Sequence, residues 1–202
     1  MSENEYNNLL NRIKVLLQKK ERVIVAIDGR CGAGKSTLAE KFAAKLSGTV
    51  FHMDDFYLRP EQRTEERFKT PGGNVDYERF ETEVLKRLSD YETITYCPFS
   101  CSVMKEGAPV TVKLSRLIIV EGSYSCHPKL WDYYDLRVFV TTDYETQLKR
   151  IEKRNGSDML KNFINRWIPF EEEYFKAYNI EKRCDVRVKT TEQENVHDIT
   201  CA

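Results

Sequence analysis

Apolar residues recur along the chain with two different spacings, and each spacing predicts a different kind of element. A spacing of three or four positions predicts an amphipathic helix over residues 1–20, where the apolar positions are Tyr6, Leu9, Leu10, Ile13, Leu16 and Leu17. The same spacing predicts further helices at 38–46, 77–88, 144–154 and 158–178, the last interrupted by Pro169. Short apolar runs predict strands at 23–27, 49–53, 117–120, 136–140 and 186–188. Because strands and helices alternate, we expect a three-layer α/β fold with a mainly parallel five-stranded sheet.

Two segments depart from this alternation. Residues 91–115 contain two β-prone runs around a polar turn at Gly107, which predicts a β-hairpin standing off the main sheet. Residues 59–74 are polar and end in a Pro-Gly-Gly sequence, which predicts a mobile surface excursion.

Length and composition limit the classes of function. A chain of 202 residues can bury one sizeable core, so we expect a single domain over 1–202. Acidic and basic residues number 32 each, so no overall field favours nucleic acid or an anionic membrane. No apolar run reaches the roughly 20 residues that a membrane span needs, and the N-terminus does not resemble a signal peptide. We therefore expect a cytoplasmic protein without a nucleic-acid or membrane partner, and a homo-oligomer stays open.

One stretch has the spacing G-x-x-x-x-G-K-[ST], which is typical of loops that bind nucleotide phosphates. It consists of Gly29, Arg30, Cys31, Gly32, Ala33, Gly34, Lys35, Ser36 and Thr37. A predicted strand precedes it and a predicted helix follows it, which is the context that this motif requires. The alternative, a glycine turn without a ligand, does not need this context.

The chemistry of this loop follows from its backbone and two side chains. Free N–H groups at a helix start attract phosphate oxygens, and glycines let the backbone approach them. Lys35 would neutralise the terminal phosphates of ATP, and the Ser36 hydroxyl would hold Mg²⁺. Cys31 lies in the same loop, where a lowered thiol pKa would make it redox-sensitive; the alternative is a small residue that fits.

Carboxylates follow two of the predicted strands, at the sheet edge where such folds bind ligands. Asp54 is our candidate for the general base toward an acceptor hydroxyl, and it is also a candidate metal ligand. Asp55 competes for this role, but neighbouring strand residues point to opposite faces, so we choose Asp54. Glu121 follows an apolar strand, where Mg²⁺ would stabilise its charge. The alternatives are a helix cap for Asp54 and an ordinary surface glutamate for Glu121.

Cationic residues cluster on the predicted helix 144–154. Arg150 and Arg154 lie four positions apart, with Lys149 and Lys153 beside them, so they could cover a transferring phosphoryl group. A solvated basic helix face is the alternative. The histidines are too far apart in the sequence for a metal site, and the cysteines lack C-x-x-C pairs. The last histidine in the sequence is His197, and the last cysteine is Cys201.

These residues resemble the uridine kinase-like family of P-loop small-molecule kinases, which includes nicotinamide riboside kinase, phosphoribulokinase and bacterial pantothenate kinase. The resemblance runs from residue 23 to 188 and rests on the phosphate loop and four short sequences. These are His52-Met53-Asp54-Asp55-Phe56-Tyr57, Gly73-Asn74-Val75-Asp76, Tyr96 before the hairpin, and Val120-Glu121-Gly122. The resemblance implies a P-loop NTPase fold with a short lid at 150–158 that carries Arg150 and Arg154.

The resemblance also implies roles for individual residues. Asp54 matches the catalytic aspartate, and Glu121 matches a glutamate associated with magnesium. Substrate-binding positions are Tyr57, Asp76, Tyr96 and, in the hairpin over the acceptor site, Phe99. The residues that read a pyrimidine in uridine kinases differ here, since Cys97, Cys101 and Val103 occupy their places.

The sequence therefore predicts an ATP-dependent and Mg²⁺-dependent kinase for a hydroxyl of a nucleoside or related small metabolite. Different acceptors stay open, namely nicotinamide riboside, pantothenate or a sugar phosphate. A phosphorylated acceptor would need basic residues, which Arg59, Arg63 and Arg67 could supply. An alternative from another class is an ATP-binding regulator that transfers no phosphate.

Overall fold

Five parallel strands form the central sheet of the protein. The computed structural model describes residues 1–191. In that range the strands are β1 (Val23–Gly29), β2 (Thr49–His52), β3 (Thr93–Tyr96), β4 (Phe99–Ser100), β5 (Lys105–Glu106), β6 (Val110–Lys113), β7 (Leu117–Glu121), β8 (Leu136–Thr141) and β9 (Val186–Lys189). The central sheet has the order β2-β7-β1-β8-β9, and all of its pairings are parallel.

Helices cover both faces of this sheet, which gives the predicted three-layer α/β architecture. They are α1 (Glu3–Lys19), α2 (Lys35–Leu46), α3 (Glu65–Lys69), α4 (Tyr77–Glu83), α5 (Tyr144–Asn155), α6 (Ser157–Asn162), α7 (Ile168–Tyr178) and α8 (Ile180–Arg183). The predicted fold class, a mainly parallel five-stranded sheet with flanking helices, is confirmed. None of the helices described within residues 1–191 is both long and apolar enough to cross a bilayer.

The N-terminal helix α1 follows the predicted apolar spacing. Ser2 and Glu5 begin it with a capping box, in which each side chain accepts from the other residue's backbone N–H. Leu9 and Ile13 are buried against one face of the sheet, and burial of such a side chain contributes about 1.5–3 kcal/mol. The ring of Tyr6 stacks on Phe42 at 5.1 Å between centroids, which fixes α1 beside α2.

The predicted hairpin forms and stands apart from the central sheet. Strands β3 and β6 pair antiparallel, and the shorter pair β4 and β5 continues the hairpin beyond them. Arg79 attaches it to the rest of the chain, because its guanidinium donates to the carbonyl oxygens of Cys97 (3.2 Å) and Asp55 (2.7 Å) and pairs with Glu106 (2.9 Å). The hairpin is therefore held close to the turn that follows β2.

Three predicted elements have different bounds in the structure. Strand β2 ends at His52, and the chain turns through a 3-10 helix at Met53–Phe56 instead of extending to residue 53. The predicted helix 77–88 ends at Glu83 and resumes as a 3-10 turn, which keeps Leu85 buried. The predicted helix 158–178 is divided by a π-helix at Phe163–Trp167, directly before the helix turn that contains Pro169. Proline lacks the N–H that a helix interior needs, so it stands at the start of α7.

Hydrogen bonds and ion pairs attach the polar segment 59–74 to the protein, although its composition predicts a mobile surface excursion. Arg67 donates to the carbonyl oxygens of Gly73 (2.7 Å) and Val75 (2.9 Å) and forms two hydrogen bonds of 2.7 Å with Glu78. Gly72 and Gly73 are buried. Part of the predicted surface excursion therefore packs into the protein.

Candidate active site

A cavity of about 1070 Å³ opens where β1 and β7 end. Carboxyl ends of parallel strands are the usual ligand edge of such a sheet. Many of the predicted site residues line this cavity, namely Cys31, Gly32, Ala33, Gly34, Lys35, Ser36, Thr37, Asp54, Tyr57, Glu121, Arg150 and Arg154. The predicted residues that do not line it are Gly29, Arg30, Asp76, Tyr96 and Phe99.

The phosphate loop connects β1 to α2, as its motif predicts. Gly29 has φ +133° and lies so close to β8 that a Cβ there would stand 1.9 Å from the carbonyl oxygen of Val140. Gly34 precedes α2 with φ +92°, a left-handed conformation that favours glycine. The side chain of Arg30 leaves the loop and pairs with Glu172 at 2.6 Å on α7. Both glycines are therefore required by the backbone, and Arg30 anchors the loop from outside the cavity.

Lys35 is held inside the loop in this structure. Its Nζ donates to the carbonyl oxygens of Gly29 (2.8 Å) and Arg30 (3.1 Å) and to Ser123 Oγ (3.2 Å). These contacts place the cation at the base of the cavity. Its predicted role toward terminal phosphates stays a prediction.

Two of the three predicted magnesium ligands, Ser36 and Glu121, are adjacent. The third, Asp54, lines the same cavity, and its role toward Mg²⁺ stays a prediction. Ser36 Oγ donates to the Glu121 carboxylate at 3.1 Å, and Glu121 is only 5% exposed. His52 Nδ1 lies 2.6 Å from the same carboxylate, and this hydrogen bond raises the pKa of His52. The dispersed histidines gave no signal in the sequence for this contact, because it depends on the parallel register of β2 and β7, in which His52 and Glu121 are partners.

A carboxylate that the sequence analysis missed occupies the phosphate loop. Glu171 on α7 accepts from the backbone N–H of Cys31 (3.0 Å) and from Ser123 Oγ (2.5 Å). It is 5% exposed and lines the cavity. A backbone N–H of this loop thus already holds an anion from the protein itself. Glu171 gave no sequence signal, because it stands 140 residues from Cys31 among three consecutive glutamates.

A second missed carboxylate, Asp28, organises the loop after β7. It is fully buried and accepts from the N–H groups of Tyr124 (3.1 Å) and Cys126 (2.8 Å) and from the Tyr174 hydroxyl (2.9 Å). Burial raises the pKa of Asp28 to about 6, although these hydrogen bonds oppose the change. Asp28 therefore joins the end of β1 to the chain around Ser123, which contacts Lys35.

Asp54 lines the cavity, but it lies on a 3-10 turn and not on a strand. The strand argument that separated Asp54 from Asp55 is therefore corrected, although the two side chains do diverge. Asp54 accepts from the Tyr57 hydroxyl at 3.0 Å. The surrounding protein raises the pKa of Asp54, and Lys35 and Tyr57 partly oppose this effect. The predicted substrate-binding residue Tyr57 thus contacts the candidate base directly.

Tyr96 and Phe99 pack behind the residues that line the cavity and are not part of its wall. The Tyr96 hydroxyl donates to Asp55 at 2.7 Å, and its ring stacks on Phe56 at 5.1 Å. Phe99 is 5% exposed. The hairpin reaches the cavity through other residues, Cys101 and Met104. The spacing of the motif could not distinguish these neighbouring positions.

Asp76 is held by contacts within the protein, and its predicted role in substrate binding stays a prediction. Its carboxylate caps α4 by accepting from the N–H of Arg79 (3.0 Å), and its other oxygen accepts from Gln62 (2.8 Å). Asp76 is 2% exposed. Its predicted start of a helix is confirmed, whereas its predicted contact with an acceptor would require these hydrogen bonds to rearrange.

The two predicted arginines of α5 line the cavity in different ways. Arg150 donates to the carbonyl oxygens of Gly32 (3.2 Å) and Thr191 (2.7 Å), so it joins the phosphate loop to the chain after β9. Arg154 is exposed and donates to Asn155. The predicted lid, 150–158, consists of the end of α5, Gly156 and the start of α6. Its motion stays a prediction.

Cys31 does not have the environment of a reactive thiol. Burial and the nearby Glu171 carboxylate raise the pKa of Cys31, so the predicted lowering by the helix start is wrong. The alternative, a small residue that fits, agrees with its buried position. Cys201 and His197 lie outside the described residues.

Comparison with known proteins identifies the family. The sequence model of a family described as shikimate kinase matches residues 31–200. This chain belongs to the shikimate kinase-like family of P-loop kinases. The predicted resemblance to P-loop small-molecule kinases is thereby confirmed.

Several relatives of this chain bear uridine kinase names. Uridine-cytidine kinase D of Dictyostelium discoideum is 26% identical over 176 residues, which cover 82% of this chain and 34% of that protein. The chain thus spans about a third of that relative's length. Uridine kinase of Latilactobacillus sakei subsp. sakei (strain 23K) is 26% identical over 156 residues, covering 72% of each chain. A solved structure of a possible uridine kinase from Bacillus stearothermophilus has a TM-score of 0.70 at 23% identity, over 92% of this chain and 97% of that one. That likeness shows the shared fold.

Proposed function

We propose that this protein is an ATP-dependent kinase that transfers the γ-phosphoryl group to a hydroxyl of a nucleoside-like small metabolite. One observation carries the proposal: Lys35, the Ser36–Glu121 pair and Asp54 line the same cavity. These are a phosphate-binding cation, a pair of oxygen ligands and a candidate base. Phosphoryl transfer requires these parts and little else from a protein.

The residues fit a magnesium ion of the kind that accompanies ATP. Mg²⁺ prefers oxygen ligands, and it usually takes one or two from the protein and the rest from phosphates and water. Ser36 and Glu121 offer such oxygens 3.1 Å apart. Within residues 1–191 no group of three or more His, Cys, Asp or Glu side chains forms a complete metal cage. Bound there, Mg²⁺ would neutralise phosphate charge, and Ser36 and Glu121 are the residues that would hold it.

Asp54 would act on the acceptor hydroxyl. Its carboxylate accepts the hydroxyl proton while the oxygen forms a bond to the γ-phosphorus, and the bond to the bridging oxygen breaks to release ADP. Asp54 is exposed and lines the cavity, so its carboxylate is accessible to an acceptor hydroxyl. Lys35 and Arg154, which line the cavity together with Asp54, would stabilise charge on the transferring group.

Support for a nucleoside-like acceptor comes from the relatives and from the cavity wall. Uridine, cytidine and nicotinamide riboside are the substrates that the relatives' names state. Aromatic side chains also line the cavity, and such rings can stack on a base. They are Tyr57, Phe68, Tyr124, Phe163 and Trp167.

The test is acceptor-dependent ADP formation by purified protein with ATP and Mg²⁺. We expect at least one nucleoside or riboside to stimulate ADP release, and Asp54→Asn to abolish the stimulation without preventing ATP binding. Tight ATP binding with no stimulation by any alcohol, and with equal ATPase in Asp54→Asn, would contradict the proposal. That result would favour the ATP-binding regulator.

A further inference from the structure

Two cysteines that are far apart in the sequence lie side by side in the structure. Cys126 and Cys184 are separated by 58 positions, and their sulfurs are 3.9 Å apart. Both are free thiols. Because a disulfide bond is about 2.05 Å long, an approach of about 2 Å would bring the two sulfurs to bonding distance.

The chain around Cys126 holds its sulfur in place. The backbone N–H of Cys126 donates to the Asp28 carboxylate at 2.8 Å, and the N–H of His127 donates to the carbonyl oxygen of Tyr124 at 3.0 Å. Cys126 is fully buried. Its thiol therefore has a defined position beside Cys184 and is shielded from solvent.

Cys184 differs from Cys126 in its exposure and in its local structure. It is half-buried, and it lies with Asp185 in the short connection between α8 and β9. A small oxidant can reach a half-buried sulfur. A connection also adjusts its backbone more easily than the interior of a helix or strand does. Both features make Cys184 the thiol that reacts first and moves toward its partner.

We propose that Cys126 and Cys184 form a redox modification site, which a peroxide converts into a disulfide and a dithiol reductant restores. The disulfide would join the loop after β7 to the connection between α8 and β9. A cross-link between distant parts of a chain stabilises the folded protein, mainly because it restricts the unfolded chain. The inference does not depend on the proposed kinase function.

The oxidation takes two steps. The Cys184 sulfur attacks hydrogen peroxide, the O–O bond breaks, and water leaves with the thiol proton, so that Cys184 becomes a sulfenic acid. The Cys126 sulfur then attacks the Cys184 sulfur, the S–O bond breaks, and the hydroxyl group leaves as water with the Cys126 proton. The two thiols thus lose two electrons, which reduce one peroxide to two waters.

The order of these steps agrees with the surroundings of the two thiols. Burial raises the pKa of the Cys126 thiol well above its ordinary value. Since the thiolate is the form that reacts with oxidants, a buried and protonated Cys126 is protected from peroxide by itself. It is therefore suited to the second step, in which its partner is already oxidised and adjacent.

Peptide mapping of the oxidised protein tests the assignment. The folded full chain is treated with hydrogen peroxide, blocked with N-ethylmaleimide and digested without reductant. We expect mass spectrometry to find a linked peptide pair that contains Cys126 and Cys184, and dithiothreitol to remove the link. If Cys184 is alkylated or oxidised to a sulfinic acid without a link, or if the link forms only after denaturation, the inference is wrong.

Thermal unfolding supplies the second readout. Peroxide should raise the Tm of the wild type by about 4–16 °C, as expected for a disulfide in a chain of this size, and dithiothreitol should reverse the rise. Cys184→Ser should show neither the link nor the rise. Cys97→Ser is the matched control, because it removes one thiol from another half-buried position that does not line the cavity. It should behave as the wild type does.

The two readouts decide separate parts of the inference. A linked protein that unfolds at the same temperature as the reduced one would contradict the stabilising effect. An equal rise of Tm in Cys184→Ser would show that another residue causes it, and would overturn the assignment of this pair.

Discussion

The two ends of the cavity differ in how their charged groups are satisfied. At the nucleotide end, Lys35 bonds to backbone carbonyls, Glu121 to Ser36 and His52, and Glu171 to a loop N–H. At the acceptor end, Arg63 has no acidic partner within residues 1–191, and Asp54 has a hydrogen bond from Tyr57 alone among the described contacts. These charged groups at the nucleotide end thus have partners within the protein, whereas Arg63 and Asp54 at the acceptor end remain available to a ligand.

This difference follows from what each end must bind. Every nucleotide presents the same phosphate groups, so the loop that binds them can be preorganised. In the absence of nucleotide, groups of the protein itself can form hydrogen bonds with the loop atoms that would bind phosphate. An acceptor varies between proteins of one fold, and its recognition depends on side chains from a hairpin and a polar segment. Variants at the two ends should therefore affect different measured quantities.

The largest effect is expected from Asp54→Asn. Loss of a general base lowers turnover by about 10²- to 10⁴-fold, while ATP affinity should change little because Asp54 belongs to the acceptor end. Asp55→Asn is the control: Asp55 receives the Tyr96 hydroxyl behind the cavity, so it should cost about 1 kcal/mol of stability and little turnover. Equal loss of turnover in both variants would contradict the assignment of Asp54.

The next largest effect is expected on the free energy of unfolding, through the protonation of His127. His127 stacks on Tyr77 with ring centres 3.8 Å apart, and burial lowers its pKa from 6.5 to about 4. The folded state thus prefers neutral His127, so its contribution is present above pH 6.5 and is lost as the pH falls toward 4. The change is about 3 kcal/mol of unfolding free energy.

Denaturant unfolding across this pH range measures the contribution. His127→Gln should lose much less stability than the wild type between pH 6.5 and 4. Glu78, Arg67 and Lys129 also act on His127, so the comparison requires the variant and not the pH profile of the wild type alone. Parallel profiles for the two proteins would show that His127 is not the titrating group.

A smaller effect of opposite sign is expected at the nucleotide end. Glu171→Gln weakens an internal acceptor of the Cys31 N–H and removes a negative charge from the phosphate loop. ATP should therefore bind about two- to tenfold more tightly. Isothermal titration calorimetry measures this, with Glu173→Gln as control, because Glu173 is an exposed carboxylate of the same helix that does not line the cavity. Weaker ATP binding in Glu171→Gln would show that Glu171 supports the nucleotide instead of competing with it.

The smallest effect is expected from Tyr57→Phe. The Tyr57 hydroxyl stabilises the ionised form of Asp54, so its loss should raise the pKa of Asp54 further. The acid limb of kcat/KM should move to higher pH by about one unit or less. A movement to lower pH, or none, would contradict this contact as a determinant of the base.

The fold was predictable because its signals are local. Apolar runs indicate the strands, helical spacing indicates α1 and α5, and the glycines of the phosphate loop fix one strand–loop–helix unit. The predicted bounds of the elements were wrong where tertiary contacts determine the backbone conformation. The turn at Met53–Phe56 and the π-helix at Phe163–Trp167 have no signal in the spacing of apolar residues.

The candidate site was predictable only where a motif carries it. The phosphate loop, Asp54 and Glu121 stand in short recognisable sequences. Glu171 and Asp28 do not, because their environments depend on long-range packing. Arg63 was one of three candidate arginines in the sequence, and only the structure separates it from Arg59 and Arg67 as a residue of the cavity wall. Tyr96 and Phe99 show the opposite case. They match the family's positions in sequence, but in the structure they pack behind the cavity wall.

The most direct test of the central claim is mass spectrometry of the products formed with ATP, Mg²⁺ and a panel of neutral and anionic alcohols. We expect an alcohol that gains a phosphoryl group in equal amount to the ADP released, and an initial rate of product formation about 10²- to 10⁴-fold lower with Asp54→Asn. ADP formed without any phosphorylated alcohol, or the same initial rate from both proteins, would contradict the proposed function.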